Sequence, residues 1–358
     1  MCGINGSSIA QMKILIVKLG AIGDIIHALP AVAEIRRKLP DAHIAWLAET
    51  RSAAILRGSP VLDELIEIDT RALKKTRTMR AFREAVGDQI GGLRSTKFDI
   101  SIDLQGLLKS AAAAKISGSP VRWGFSRKDL REQAARIFYT NTAKAVAERT
   151  HIIDKNFALV REAFQFEGEA DRLEFPITKN DSEKAEISEF IKTPFVLLNP
   201  GGGWPTKLWH AEKFGLLADM LYEKLNLRSI ISIGPNEEHL AERAVQNSKS
   251  GTSIIAKLSI KGFYELAKYA EVYVGGDTGP THIAVAAGTP VVGIFGPTEW
   301  WRNGSPDPND ICVGRTDIEC RIDCHRRSCN KWICMDIDVN TVFNAVMQRI
   351  ENKKAAVK

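Results

Sequence analysis

The stretch Val272-Tyr273-Val274-Gly275-Gly276-Asp277-Thr278-Gly279-Pro280-Thr281-His282 decides how this 358-residue chain is built. An apolar run ends in two glycines and passes straight into a small-residue segment, 283–288, that reads as helix. A buried strand feeding a helix in this way presents the free N–H groups of the helix start, and such groups bind anions, phosphates above all. The stretch therefore reads as one wall of a diphosphate site.

Working outward, the same alternation recurs. β-rich runs at 13–18, 43–48, 64–68, 99–104 and 121–125 alternate with helical patterns in the first half. Runs at 195–199, 228–233, 253–256, 272–274 and 291–295 do so in the second, with polar helices at 211–224 and 237–246 between them. This is the pattern of βαβ units and parallel sheets. The chain is too long for one ordinary core, so the expectation is an α/β protein with two doubly wound sheets in tandem. A charged helix at 181–192, between Pro176 and Pro194, marks the boundary. The expected parts are a first domain over 12–178, a second over 190–335 and a terminal helical segment over 336–358. That last helix carries a narrow apolar stripe at Val342, Val346 and Ile350; it crosses back to the first domain or meets a membrane surface with its lysine-rich end. Ligands of open α/β sheets bind beyond the carboxyl ends of the strands, which places a cleft between the halves.

Composition narrows the class. With 44% apolar and 26% charged residues the chain is globular and not disordered. No apolar run reaches the roughly 20 residues needed to span a bilayer, and residues 1–11 lack the regions of a signal peptide, so a cytoplasmic protein is expected. The net charge of +6 suits anionic partners, while no zinc-finger, helix-turn-helix or RNP signature points to nucleic acid.

Three further loops follow strands. In Lys18-Leu19-Gly20-Ala21-Ile22-Gly23-Asp24-Ile25-Ile26-His27, two glycines three apart permit a tight turn but do not make a GxGxxG fingerprint. Spacing leaves two roles open for Asp24: a helix cap, or a general base facing the cleft. His27 lies on the same helical face and either serves Asp24 and sugar or makes a structural hydrogen bond; the same choice holds for His282. In Asn199-Pro200-Gly201-Gly202-Gly203-Trp204-Pro205-Thr206-Lys207, bare backbone followed by a lysine suits a phosphate. In Gly234-Pro235-Asn236-Glu237-Glu238, carboxylates either accept ribose hydroxyls or compensate a helix dipole.

Together KILIVKLGAIGDIIH (13–27), NPGGGWPTKLW (199–209) and VGGDTGPTHIAVAAGTPVVGIFGPT (274–298) resemble glycosyltransferase family 9, the ADP-heptose:lipopolysaccharide heptosyltransferases. DLQGLLKS (103–110) and REQAARIFY (131–139) are most similar to its heptosyltransferase I branch. The resemblance implies a GT-B fold, two Rossmann-like domains facing across a cleft, with acceptor on the first and nucleotide sugar on the second. It implies inverting, metal-independent transfer of L-glycero-D-manno-heptose from ADP-heptose to Kdo of an anionic lipid A-type acceptor, without a cofactor, with peripheral contact at the cytoplasmic face of the inner membrane. The alternatives are a heptosyltransferase II, another family 9 transferase, or a non-catalytic nucleotide-sugar-binding protein of the same fold.

Carried over by position, the resemblance makes Asp24 the base and gives Lys207 the phosphates or sugar. Gly202, Gly203, Thr278 and Gly279 then meet phosphates, Asp277 the donor heptose, Glu238 the ribose and Leu258 the adenine, with His282 beside them. Gly23, His27, Arg71, Lys74, Lys75, Gln105 and Arg131 fall on the acceptor side. GGG stands here where heptosyltransferase I carries threonines, so backbone contacts replace hydroxyl ones. Separately, Cys320, Cys324, Cys329 and Cys334 cluster with spacings of three, four and four residues. They read as a structural metal cluster or as reduced thiols, disulfides being disfavoured in a reducing compartment.

Overall fold

Strands buried on both faces are written as continuous apolar runs, not as alternating ones, and the sequence KILIV of β1 (Lys13–Val17) is buried throughout after its first residue. In this computed structural model the described residues are 11–69, 91, 93–168, 173–178, 181–322 and 324–356. They form two compact units: one runs to residue 148 and resumes over 153–178, the other takes 149–152 and everything from 179 on.

The first unit contains β1, α1 (Ile22–Lys38), β2 (His43–Glu49), α2 (Thr50–Ala53), β3 (Glu64–Ile68), β4 (Ile100–Asp103), α3 (Leu108–Ile116), β5 (Val121–Gly124), β6 (Asn141–Thr142) and α4 (Ile152–Phe164). Its six strands are all parallel and ordered β3-β2-β1-β4-β5-β6. The order reverses between β1 and β4, and such a switch point is where a doubly wound sheet opens a crevice beyond its strand ends. Leu15 and Val17 of β1, Ala45 and Leu47 of β2, and Ala113 and Ala114 of α3 share one buried core.

The second unit contains α5 (Asp181–Ile187), β7 (Phe195–Asn199), α6 (Ala211–Leu225), β8 (Arg228–Ile233), α7 (Glu238–Gln246), β9 (Ile254–Lys257), α8 (Ile260–Ala267), β10 (Val272–Gly276), α9 (Gly279–Ala286), β11 (Val291–Ile294), α10 (Trp300–Asn303), β12 (Ile311–Val313) and α11 (Val339–Ala356). Its sheet, also parallel, runs β12-β11-β10-β7-β8-β9, with the reversal between β7 and β10. Both halves thus repeat one winding. The terminal helix α11 belongs to this second unit, where the sequence left a crossing to the first open. Its stripe residues Val342 and Val346 are fully buried in the core with Val272, Val274, Val292 and Ile294. Edge strands β6 and β12, two and three residues long, went unread because so few residues show no periodicity.

Candidate active site

The loops bounding the second unit's switch point are those after β7 and β10. Helix α9 starts at Gly279, with Thr278 at its N-cap making no side-chain cap bond, so first-turn amides remain available. Two glycines let the loops close on each other. A Cβ on Gly202 would lie 2.7 Å from Thr278 Cγ2, and one on Gly276 would lie 2.8 Å from the Lys207 carbonyl oxygen. Gly203 is exposed, with open space around it.

Lys207 ends a short 3-10 turn, Pro205–Lys207, and its Nζ lies 2.5 Å from Asp277 Oδ2. The same ammonium stands 4.4 Å over the ring of Trp204, a cation–π contact. The other carboxylate oxygen of Asp277, Oδ1, lies 3.3 Å from His282 Nε2 and accepts from Asn303 Nδ2 at 2.5 Å. Burial by itself would raise the Asp277 carboxyl; the hydrogen bond from His282 and the charge of Lys207 outweigh it and hold the group well below the usual carboxylate range. This is a buried, ionised carboxylate aiming a lysine at a helix start.

Of the two neighbouring glutamates, it is Glu237 that reaches the glycine loop. Its Oε1 accepts from the Gly202 amide and its Oε2 from the Gly234 amide, at 2.9 Å each. Glu238, the residue expected at the ribose, opens α7 and points instead to Lys257, 3.1 Å away, with 45% of its side chain exposed. Leu258 follows Lys257 directly after β9 and is half-buried.

At the first unit's switch point the loops after β1 and β4 meet. Gly20 has φ = 139°, a conformation open to glycine, and a Cβ there would strike Ser52 Oγ at 2.7 Å. Asp24, half-buried in the first turn of α1, accepts at Oδ2 from the Ala21 amide (3.1 Å) and from Gln105 Nε2 (3.4 Å). The cap is therefore made, and the carboxylate stays part-exposed beside it. Gln105 also accepts from the Gly20 amide at Oε1, 3.2 Å. Gly23 and His27 are buried within α1, and the His27 carbonyl accepts from Asn156 Nδ2 at 2.9 Å. Lys18 is buried and donates to the Leu104 carbonyl at 2.5 Å. Its burial lowers its pKa, with Asp24 and Asp103 partly offsetting.

Arg131 is exposed, next to Leu130, whose Cδ2 lies 3.1 Å from where a Gly106 Cβ would stand. The segment is thereby held against the Gln105 loop, with Glu132 accepting from the Leu108 amide at 2.7 Å. The remaining acceptor-side candidates, Arg71, Lys74 and Lys75, lie outside the described residues.

The model of the family described as glycosyltransferase family 9 (heptosyltransferase) matches residues 89–333. The chain belongs to that family. As a family 9 glycosyltransferase it is 27% identical over 301 residues to lipopolysaccharide heptosyltransferase 1 of Escherichia coli (strain K12), covering 80% of this chain and 89% of that one. Among solved structures, the family 9 glycosyl transferase of Veillonella parvula DSM 2008 superposes with a TM-score of 0.81 at 19% identity, over 97% of this chain and 99% of that one. The E. coli heptosyltransferase WaaC with ADP gives 0.73 at 23% identity, over 84% and 93%. These likenesses establish the GT-B fold expected from the sequence.

The cysteine segment has a structural part that its spacing did not reveal. Cys320, Cys324, Cys329 and Cys334 line one cavity of about 480 Å³ with Thr206, Arg326 and Trp332. All four are free thiols, and among the described residues no group of three or more His, Cys, Asp or Glu side chains is placed to hold a metal ion. The segment braces the lysine loop: Thr206 Oγ1 donates to the Arg326 carbonyl at 2.6 Å, and Trp332 Nε1 donates to the Thr206 carbonyl at 3.2 Å. Arg327 adds a second cation 4.8 Å over the Trp204 ring. Asn303 also went unread; it ends α10, the short helix after β11, away in sequence from the residues it joins.

Proposed function

We propose that this glycosyltransferase moves L-glycero-D-manno-heptose from ADP-heptose to a Kdo sugar of the lipopolysaccharide inner core, with inversion. The observation that carries the donor half is the triad of part-buried Lys207 with buried Asp277 and His282 at the start of α9. The relatives support the choice of sugar and nucleotide: the E. coli protein is named a lipopolysaccharide heptosyltransferase 1, and its structural neighbour is seen with ADP.

In this reaction the acceptor hydroxyl oxygen bonds to the anomeric carbon while that carbon's bond to the diphosphate breaks and the electron pair leaves with ADP. Negative charge grows on the diphosphate, where Lys207 and the amides of Gly203, Thr278 and Gly279 receive it, while the Gly202 amide, expected from the family pattern to join them, is held by Glu237. Asp277 keeps Lys207 in place, and Asp24 takes the proton of the attacking hydroxyl. Arg131, Arg71, Lys74 and Lys75 supply cations for the anionic acceptor. No helix among the described residues is long and apolar enough to cross a membrane, and a lipid acceptor would bring the protein to a membrane surface from outside.

The test is transfer from ADP-heptose to Kdo-lipid A, read by mass spectrometry, for the wild type and Asp24→Ala. The wild type should form product and the variant should lose about 10²- to 10⁴-fold in rate, the usual worth of a general base. Equal rates would remove Asp24 as the base.

A further inference from the structure

Gln105 follows β4 and reaches back to the loop after β1. Its side-chain amide is used at both ends: Oε1 accepts from the Gly20 amide at 3.2 Å and Nε2 donates to Asp24 Oδ2 at 3.4 Å. Asp24 Oδ2 also accepts from the Ala21 amide. One oxygen is thus held by two donors, while Oδ1 has no hydrogen-bond partner among the described residues. A carboxylate fixed in this way offers one particular oxygen to an incoming proton.

Gln105 is itself fixed from behind. Its backbone amide and that of Gly106 donate to Asp103 Oδ1 at 2.8 and 3.1 Å. Ser110 Oγ and Tyr139 Oη donate to Asp103 Oδ2 at 2.8 and 2.6 Å. Asp103, Ser110 and Tyr139 are all buried, so the turn carrying Gln105 is anchored to the end of β4, to α3 and to the segment before β6. The Lys18 ammonium, on the Leu104 carbonyl, adds a fourth tie to the same turn.

We infer that Gln105 is a positioning residue for the base, orienting Asp24 so that Oδ1 faces the acceptor hydroxyl, and is not itself an acceptor ligand. This rests on the assignment of Asp24 as base. A group that acts only through Asp24 has three consequences: it changes turnover and not substrate affinity, its loss tracks misplacement of the carboxylate, and it has no effect once Asp24 is gone.

The experiment measures kcat and KM for both substrates in Gln105→Met, Gln105→Asn, Asp24→Ala and the double variant Asp24→Ala/Gln105→Met. Gln105→Met keeps the volume and removes both polar ends. Gln105→Asn keeps the amide but is one methylene too short to bridge Gly20 and Asp24, and it remains informative if the methionine variant misfolds. Each single Gln105 variant should lower kcat about ten- to a hundredfold with both KM values within about twofold of wild type, and the double variant should match Asp24→Ala. Acceptor KM rising at unchanged kcat would overturn the inference and return Gln105 to the acceptor site. So would a double variant slower than Asp24→Ala by the factor seen in the wild-type background. If Asp24→Ala alone kept the wild-type rate, the assignment of the base would fail first, whatever the Gln105 variants did.

Discussion

Each unit buries an aspartate at the carboxyl end of the strand next to its switch point, and the two are driven in opposite directions. Asp103, closing β4, is raised by burial, which hydrogen bonds from Tyr139, Ser110 and the Gln105 and Gly106 amides only partly offset. Asp277, following β10, is equally enclosed, yet His282 and Lys207 bring it well below the usual range. Equivalent places in the same winding therefore hold a carboxylate met by neutral donors in one unit and, in the other, one paired with a lysine beside a histidine and an asparagine amide. The first arrangement fixes backbone, tying a turn together through four hydrogen bonds. The second fixes charge, holding an ammonium beside amides where a phosphate is expected.

The strongest way to break this contrast is to remove each carboxylate. Asp277→Ala leaves Lys207, 14% exposed at its side chain, with its counter-ion gone. Losing one partner of a buried ion pair costs about 3–5 kcal/mol, and ADP binding should weaken with it because Lys207 is no longer aimed. Asp103→Asn keeps the shape and one of the two acceptor oxygens, and removes a charge that burial already disfavours; with the Ser110 and Tyr139 hydroxyls turned to accept from the new amide, its cost should stay at about 1–2 kcal/mol. Hydrogen exchange read on peptides of each unit measures both effects where they arise, and titration calorimetry with ADP reads the functional one. Similar losses in the two variants would show that the lysine pair and the neutral donors are doing the same job.

A smaller effect sharpens the contrast through pH. The depressed Asp277 contributes stability that is fully present above the unfolded carboxylate value, about 4, and is lost as pH falls through its folded value. The raised Asp103 has the opposite sign: its folded form prefers the proton, so the first unit gains stability as pH falls from the folded towards the unfolded value. Protection of second-unit amides should decline below about pH 4 in the wild type and flatten in Asp277→Ala. First-unit amides should gain protection relative to Asp103→Asn over the acid range. A common acid response in both units would remove the distinction.

Much of this was legible in sequence because parallel strands buried on both faces must be apolar throughout. Runs such as KILIV and FVLLN, each followed by glycines, disclose strand, turn and helix start together. The glycine-loop lysine was legible for the same reason, whereas Asp277 entered only through the family resemblance and its pairing with Lys207 was not read. What was not legible depends on contacts remote in sequence: Asn303 on Asp277, Tyr139 on Asp103, and the cysteine segment against Thr206. Nothing in their local spacing announces those partners.

The choice between Glu237 and Glu238 shows the limit most sharply, and it tests whether neutral-donor carboxylates behave alike in both units. Successive residues at a helix start point about 100° apart, so one of two adjacent glutamates turns inward and composition cannot say which. The structure puts Glu237 on the Gly202 and Gly234 amides and leaves Glu238 to Lys257. Glu237 thus resembles Asp103, a carboxylate on backbone N–H groups, but it sits inside the unit where Asp277 is paired with the Lys207 ammonium. Glu237→Gln keeps one acceptor oxygen for two amides and should loosen the glycine loop, with a modest fall in ADP affinity of about threefold by calorimetry, in line with one weakened hydrogen bond. Glu238→Gln loses an exposed pair with Lys257 and should leave ADP affinity unchanged. The reverse order would mean that the inward glutamate only shapes the empty loop and that the outward one turns to the ligand, as its place in the family pattern implies.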